Sequence, residues 1–344
     1  MIELAAIEAA RDRIAGTATR TPLVRLRVED APAEIYLKLE NLQPISSFKI
    51  RGAINAVLLA APGDRAKGLV TASAGNMAQG VAWAARTLGV PATIVVPEHA
   101  PEAKLAAIAR LGGRVRTLPY DDWWNVIVTS HLDGTEGLFV HPVQDPGVMA
   151  GNGTIGLEIL DDLPDPDAVV IPYGGGGLTV GIASAIKARR PATRILTAEP
   201  DTGAALAAAL AAGHPADVDY HASFVDGSGS RRVLDSMWPL VTPLVDEALA
   251  IPVADVAAAV RLLAEMWPRV EAVIDDALVV TLDEAATAIR TLAERLRVIA
   301  EGAGALAVAA AMAGRAGAGK VVCVVSGGNI NLSKLADILN GATS

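Results

Sequence analysis

Short apolar runs alternating with amphipathic stretches constrain this chain more than any other feature, because a strand that returns beside its neighbour through a helix must lie parallel to it. The pattern predicts strands at Gly68–Thr71, Ala92–Val96, Arg114–Leu118 and Gly137–Val140, with helices over Asn76–Leu88, Pro101–Leu111 and Tyr120–His131. A second series predicts a helix near Gly153–Leu160, strands at Ala168–Pro172, Arg194–Ala198 and Lys320–Val325, and helices after Gly177, from Thr202, over Glu301–Met312 and from Asn331. Ahead of both, Ile7 and Ile14 mark a helix ending near Gly16, and Glu34–Glu40 alternates like a strand. The expectation is an α/β protein of two lobes, with mainly parallel sheets and flanking helices. A larger lobe takes residues 1–59 and 145–344, and a smaller one takes 60–144.

Hydrophobic residues make up 52% of the chain and charged residues 19%, which excludes disorder as a description of the bulk. A net charge of −9 without a basic cluster argues against nucleic acid or an anionic membrane as partner. Cys323 stands alone in the apolar run Val321–Val325, so a buried structural thiol is expected, and neither a disulfide framework nor a cysteine metal site can form. His99, His131, His141, His214 and His221 lack ligand spacing, and surface or packing roles are expected for them. Glu3, Glu8, Arg11 and Asp12 occupy the first turns, unlike a signal peptide. Apolar runs such as Ala204–Ala212 fall short of the roughly 18 residues a membrane span needs. A reducing, cytoplasmic setting is therefore expected.

Met237-Trp238-Pro239 recurs as Met266-Trp267-Pro268, and blocks 237–265 and 266–294 stay in register, with Asp246/Asp275, Arg261/Arg290 and Glu265/Glu294 among the matches. This reads as a tandem duplication of one strand-helix unit. Two copies are too few for a solenoid, so the extra unit is expected to extend the sheet or cover a surface.

Four stretches carry chemistry. Residues 37–53 run from a strand through a turn broken by Pro44 into a helix that begins at Lys49. An ammonium just inside a helix start meets the partial positive charge of exposed N–H groups, whereas an imine nitrogen does not. A surface lysine at a helix start is the ordinary alternative. The turn Ser73-Ala74-Gly75-Asn76-Met77 follows a strand and opens a helix whose N–H groups could grip a carboxylate. Gly174-Gly175-Gly176-Gly177-Leu178 lets consecutive amides converge on one anion at a helix start, as a phosphate cradle requires. Thr179 stands where a dinucleotide fingerprint needs glycine, and no Gly-Lys-Ser/Thr end marks a Walker loop. Ser326-Gly327-Gly328-Asn329 follows a strand end, where open parallel sheets bind ligands.

In this order, from Thr21-Pro22-Leu23 through Ser46-Ser47-Phe48-Lys49-Ile50-Arg51-Gly52-Ala53, the Ser73–Asn76 turn and the four-glycine loop to Ser326-Gly327-Gly328-Asn329, the chain resembles the fold-type II pyridoxal-phosphate enzymes. Within those it resembles the serine/threonine dehydratase (ammonia-lyase) family. The resemblance implies a two-lobed, tryptophan synthase β-like architecture and pyridoxal 5'-phosphate as cofactor. It implies that Lys49 is the catalytic residue and forms the Schiff base, with Phe48 beside the ring. Asn76, Gly174, Gly175, Gly176, Gly177, Leu178 and Ser326 would complete the cofactor site, Ser326 facing the pyridine nitrogen. Ser73, Ala74, Gly75, Asn76 and Met77 would form the substrate-binding turn. A serine hydroxyl beside that nitrogen makes a weaker electron sink than an aspartate would, which favours prompt loss of a β-leaving group.

The activity this implies is conversion of a β-hydroxy amino acid, of the L-threonine or L-serine type, to a 2-oxo acid and ammonia. Racemases of this group carry serine where Ala74 stands, and alanine cannot donate a proton, so elimination is favoured. A β-replacement synthase and a non-catalytic pyridoxal-phosphate binder are the alternatives. Departures from the family pattern are Met77 for His, Asn152 for Gln and Glu301-Gly302 for Glu-Pro. Trp123-Trp124 is read as packing. Glu199-Pro200 matches the start of a cation site of some relatives, but no second carboxylate follows, so no metal is expected. The expected partners are a small amino-acid substrate and a second copy in a dimer. With no domain following Ser344, end-product allostery is not expected.

Overall fold

The run Ala168–Pro172 is buried at every position and Lys320–Val325 at all but its first, which is how strands covered on both faces of a parallel sheet read. In the computed structural model, which describes residues 1–26, 31–265 and 299–339, these two strands lie side by side. In chain order the strands are β1 (Leu23–Arg25), β2 (Glu34–Leu39), β3 (Leu69–Ala72), β4 (Ala92–Pro97), β5 (Arg114–Leu118), β6 (Leu138–Phe139), β7 (Ala168–Pro172), β8 (Arg194–Pro200), β9 (Glu247–Ile251) and β10 (Lys320–Val325). Among the described residues they form a six-stranded sheet of order β1-β2-β10-β7-β8-β9 and a four-stranded sheet of order β5-β4-β3-β6. Every neighbouring pair is parallel except β1 with β2. The α/β class with mainly parallel sheets is thus as the alternation indicates.

The last strand, β10, inserts between β2 and β7. Its register against β2 runs from Lys320 opposite Glu34 to Val325 opposite Leu39, so the two strands end level. Cys323 is opposite Leu37 on one side and Val170 on the other, fully buried, its thiol donating to the Ala307 carbonyl at 3.3 Å.

Helix Lys49–Leu59 begins at Lys49, and Asn76–Leu88 begins at Asn76. The helix over Gly153–Leu160 starts earlier, at Pro146. Asp145 caps it by accepting from the Gly147 and Val148 amides, with proline at the first helical position. The helix from Thr202 begins at Ala205, after a single 3₁₀ turn. Of the duplicated unit, the first copy holds β9 followed by the helix Val253–Glu265, and the second copy, 266–294, lies outside the described residues. No helix among the described residues is long and apolar enough to cross a membrane.

A buried ion network fixes the helix that carries Lys49. The Arg51 guanidinium, 1% exposed, is bidentate to Glu40 at 2.8 Å through Nε and Nη2, and reaches Glu158 at 2.7 and 2.9 Å. Lys38 Nζ donates to Glu158 at 2.6 Å and to the Thr21 carbonyl at 2.5 Å. Burial alone would raise the Glu40 carboxyl, but Arg51 and Lys38 hold it below the usual carboxylate range. The network ties β2, the Lys49 helix and the helix Pro146–Asp162 into one unit.

Candidate active site

Three of the sequence-marked stretches follow three adjacent strands. The Lys49 segment follows β2, Ser326 follows β10 and the glycine loop follows β7, so the insertion of β10 brings residues 49, 326 and 174–177 together at the carboxyl ends of these strands. The join is hydrogen-bonded. Phe48 N donates to the Ser326 carbonyl at 3.1 Å, Gly328 N donates to the Ser46 carbonyl at 3.0 Å, and Ser47 bridges Gly327. Ser46 adopts the left-handed conformation (φ 54°), a strained geometry for a residue with a side chain, at the bend just before Lys49.

The Lys49 amine donates to the Pro142 carbonyl at 3.0 Å and lies 5.2 Å from the centroid of the Phe48 ring. Burial without a counter-charge lowers its pKa to about 8, so roughly a tenth of the amine is neutral at pH 7, far more than for a free lysine. The next residue, Val143, packs under the glycine loop. A Cβ on Gly175 would lie 2.5 Å from Val143 Cγ2, and one on Gly177 would lie 2.9 Å from the Val143 carbonyl oxygen. Gly176 has φ 93° and starts the helix Gly177–Arg189 with no side-chain cap, leaving the first N–H groups of that helix without intrahelical partners. Loop 227–229 backs this cradle, with Gly229 N donating to the Tyr173 carbonyl at 2.9 Å and Ser228 Oγ to the same oxygen.

The four-stranded sheet supplies the other side. Ser73 follows β3, its N–H donating to the Val95 carbonyl at 3.0 Å and its Oγ accepting from Gly75 N at 3.2 Å. Gly75 starts the Asn76–Leu88 helix, again without a side-chain cap. The Asn76 amide is held at both ends: Nδ2 donates to Glu301 Oε1 at 2.7 Å, and Oδ1 accepts from Asn329 Nδ2 at 2.7 Å. Asn329 Nδ2 also donates to the Ile45 carbonyl at 2.9 Å, which sets the orientation of both amides. Burial, helped by Asp226, raises the Glu301 carboxyl to about 7, against the pull of Asn76 and Lys104.

Side chains of two marked residues point elsewhere. Met77 is 2% exposed in the core of the four-stranded unit, with Ile54, Val57 and Val81, and Leu178 is buried in the large core, so each can offer the site only its backbone amide. Trp123 packs with Val70, Ala72 and Val95, its Nε1 donating to the Val95 carbonyl at 3.2 Å, as read from sequence; Trp124 packs only against the Trp123 ring, 6.3 Å between centroids, and is 44% exposed. Glu199 is buried with its carboxyl raised to about 7, and its oxygens accept from the Leu206 and Ala207 amides at 2.9 and 3.0 Å, so it caps a helix. Among the described residues no group of three or more His, Cys, Asp or Glu could hold a metal.

The sequence reading missed the Pro142 carbonyl and Val143, gave His141 only a surface or packing role, and marked Asn329 without assigning it a partner. The available signal was their position just past a strand end, where ligand-binding residues of parallel sheets gather.

A family model described as "pyridoxal-phosphate dependent enzyme" matches residues 14–266. The L-threonine ammonia-lyase of Thermotoga maritima is 38% identical over 345 residues, covering 99% of this chain and 79% of that protein. The catabolic L-threonine dehydratase TdcB of Escherichia coli is 36% identical, covering 96% of this chain and 93% of that protein. The solved structure of maize serine racemase superposes with a TM-score of 0.80 at 30% identity, covering 98% of this chain and 97% of that one. With the glycine cradle, the amine lacking a counter-charge and the family match over most of its length, the chain belongs to the fold-type II family of pyridoxal-phosphate-dependent enzymes.

Proposed function

We propose that the protein is a dehydratase and ammonia-lyase, converting L-threonine or L-serine to the corresponding 2-oxo acid and ammonia. The observation that carries this reading is the convergence of a lysine amine lacking a counter-charge with an uncapped glycine cradle and an uncapped turn of small residues. These residues fit the cofactor: glycine lets the loop lie directly on Val143, where a Cβ would collide, and the helix start offers N–H groups to a phosphate. Pyridoxal phosphate, when bound, supplies an aldehyde that takes up an amine and a conjugated ring that draws electrons from the α-carbon.

The chain's own residues supply the rest. The amides of Gly174 to Leu178 would hold the phosphate, and the Ser73–Met77 amides with Ser73 Oγ would hold the substrate carboxylate. The Lys49 amine, with its pKa near 8, takes the α-proton and stays on one face of the substrate. Ala74 in the turn would stand on the other face, and its methyl group has no proton to give. Asn76, fixed by Glu301 and Asn329, would offer its amide to the ring hydroxyl, and Ser326 would meet the pyridine nitrogen without imposing a charge on it. The turn and its sheet support a smaller lobe of residues 60–144 set against the larger one.

Incubated with L-threonine, the protein is expected to release 2-oxobutanoate and ammonia in equal amounts, since the water lost in elimination is regained on hydrolysis. An amino acid returned as its D-isomer, with no 2-oxo acid, would overturn the assignment in favour of racemisation. The cradle has its own test. Gly175→Ala drives a methyl into Val143, and overpacking of this kind costs about 1–3 kcal/mol. Cofactor affinity measured by equilibrium dialysis should therefore fall about tenfold. Gly63→Ala, which meets nothing within 4 Å, should leave it unchanged.

A further inference from the structure

We infer that His141 is a positioning residue for the Lys49 amine. Its imidazole folds the turn 141–144 so that the Pro142 carbonyl meets Lys49 Nζ and Val143 seats under the glycine loop, and protonation of the ring undoes both. This rests on the reading that Lys49 carries the chemistry.

His141 follows β6 and is 7% exposed. Its Nδ1 accepts from Val143 N at 3.0 Å and from Gln144 N at 2.9 Å. Two backbone donors on one ring nitrogen leave no room for a proton there, so the ring is neutral and its proton sits on Nε2. The same turn delivers the carbonyl 3.0 Å from Lys49 Nζ, the Val143 side chain that Gly175 accommodates and the Val143 backbone that Gly177 accommodates. One ring thus sets the amine and the cradle together.

The choice of residue has a reason. Turns of this kind are ordinarily closed by the acceptor oxygen of Asp, Asn or Ser. A carboxylate here would sit beside Lys49 and stabilise its ammonium. A neutral imidazole satisfies two amides and adds no charge, so the amine keeps its lowered pKa. The groups facing the ring are Lys49 from its helix, Asp145 from the start of Pro146–Asp162, the Ile127 backbone from Tyr120–Thr129, and the Phe139 ring edge, 6.3 Å between centroids. Burial lowers the pKa of His141 and Lys49 lowers it further, against Asp145 and Ile127, so the neutral ring persists below the ordinary histidine range.

The test compares holoenzymes of wild type, His141→Asn, His141→Asp and His141→Phe, their folding checked by circular dichroism. Asn places an oxygen where Nδ1 stood and does not titrate. It should keep kcat within about threefold at pH 8, since both acceptor bonds survive. Its acid limb should lose one proton, where wild type falls with two. Asp should shift the ionisation of the Lys49 amine, freed once substrate is bound, to higher pH in the kcat profile. Phe removes both bonds, so hydroxylamine should strip its cofactor about tenfold faster and kcat should fall by a similar factor. Long-range proton–nitrogen NMR of histidine-labelled wild type, with His141 assigned by its absence in His141→Asn, should give the Nε2–H form at pH 8. Cofactor retention and kcat of wild-type level in His141→Phe, an acid limb in His141→Asn identical to wild type, or a proton on Nδ1 at pH 8 would each overturn the inference. Borohydride trapping and peptide mapping of wild type test the underlying reading separately: a label away from Lys49 sinks that reading.

Discussion

Lys49→Ala should remove the yellow colour of the bound cofactor and reduce turnover of L-threonine by at least about 10³-fold, the upper range for removing a group that transfers protons. The same variant should not be destabilised. Burial lowers the amine from 10.5 to about 8, so the folded state carries an unfavourable ammonium at pH below about 8. That penalty fades between pH 8 and 10.5 and is absent above both values. Compared without cofactor at pH 7, Lys49→Ala should therefore melt at or above the wild-type temperature, with the difference vanishing above pH 10.5. Retained turnover would sink the assignment of Lys49, and a lower melting temperature at pH 7 would sink the account of its burial.

Arg51→Met should lower stability by about 3–5 kcal/mol in urea unfolding at pH 7, because it leaves Glu40 and Glu158 buried without the guanidinium that bridges them. Arg51→Lys should recover little, since an ammonium cannot span two carboxylates bidentately. The pH dependence gives the sign. In the wild type the Glu40 carboxyl is held below its ordinary 4.5, so its contribution is present above that value and is lost as pH falls through the lowered one. With Arg51 gone, burial dominates and lifts Glu40, so the variant loses stability as pH rises instead. A variant whose stability falls on acidification like the wild type would show that the network contributes little.

Much of the fold was legible because its signals are local. The strands at Arg114–Leu118, Ala168–Pro172 and Lys320–Val325, and the helix Asn76–Leu88, have the bounds that apolar runs and small-residue turns indicate. The late start read for the Pro146–Asp162 helix came from following apolar periodicity past the Asp145-Pro146 pair, a capping signal in plain view. Trp123 and Trp124 do pack together, but bulk alone did not say that Trp123 would reach the core while Trp124 stays 44% exposed.

The site was legible only in its chemistry-bearing parts. Glycines in a row and a lysine at a helix start depend on residue type and stand out. His141 shows no pattern of its own, and the Pro142 carbonyl is a group every residue has. The Asn76–Glu301 bond spans 225 positions and the Arg51–Glu158 pair 107, so nothing local marks them.

The sequence by itself determined the class of fold and the functional groups, since period, turn chemistry and residue type are properties of short segments. Tertiary structure alone decided that these groups form one site. That required the last strand to enter between β2 and β7, because only the pairing of β10 with both neighbours aligns their carboxyl ends and brings residues 49, 174–177 and 326 together. It also decided the ionisation of Lys49, because whether an amine is charged depends on burial and neighbouring charge, neither of which a segment carries with it.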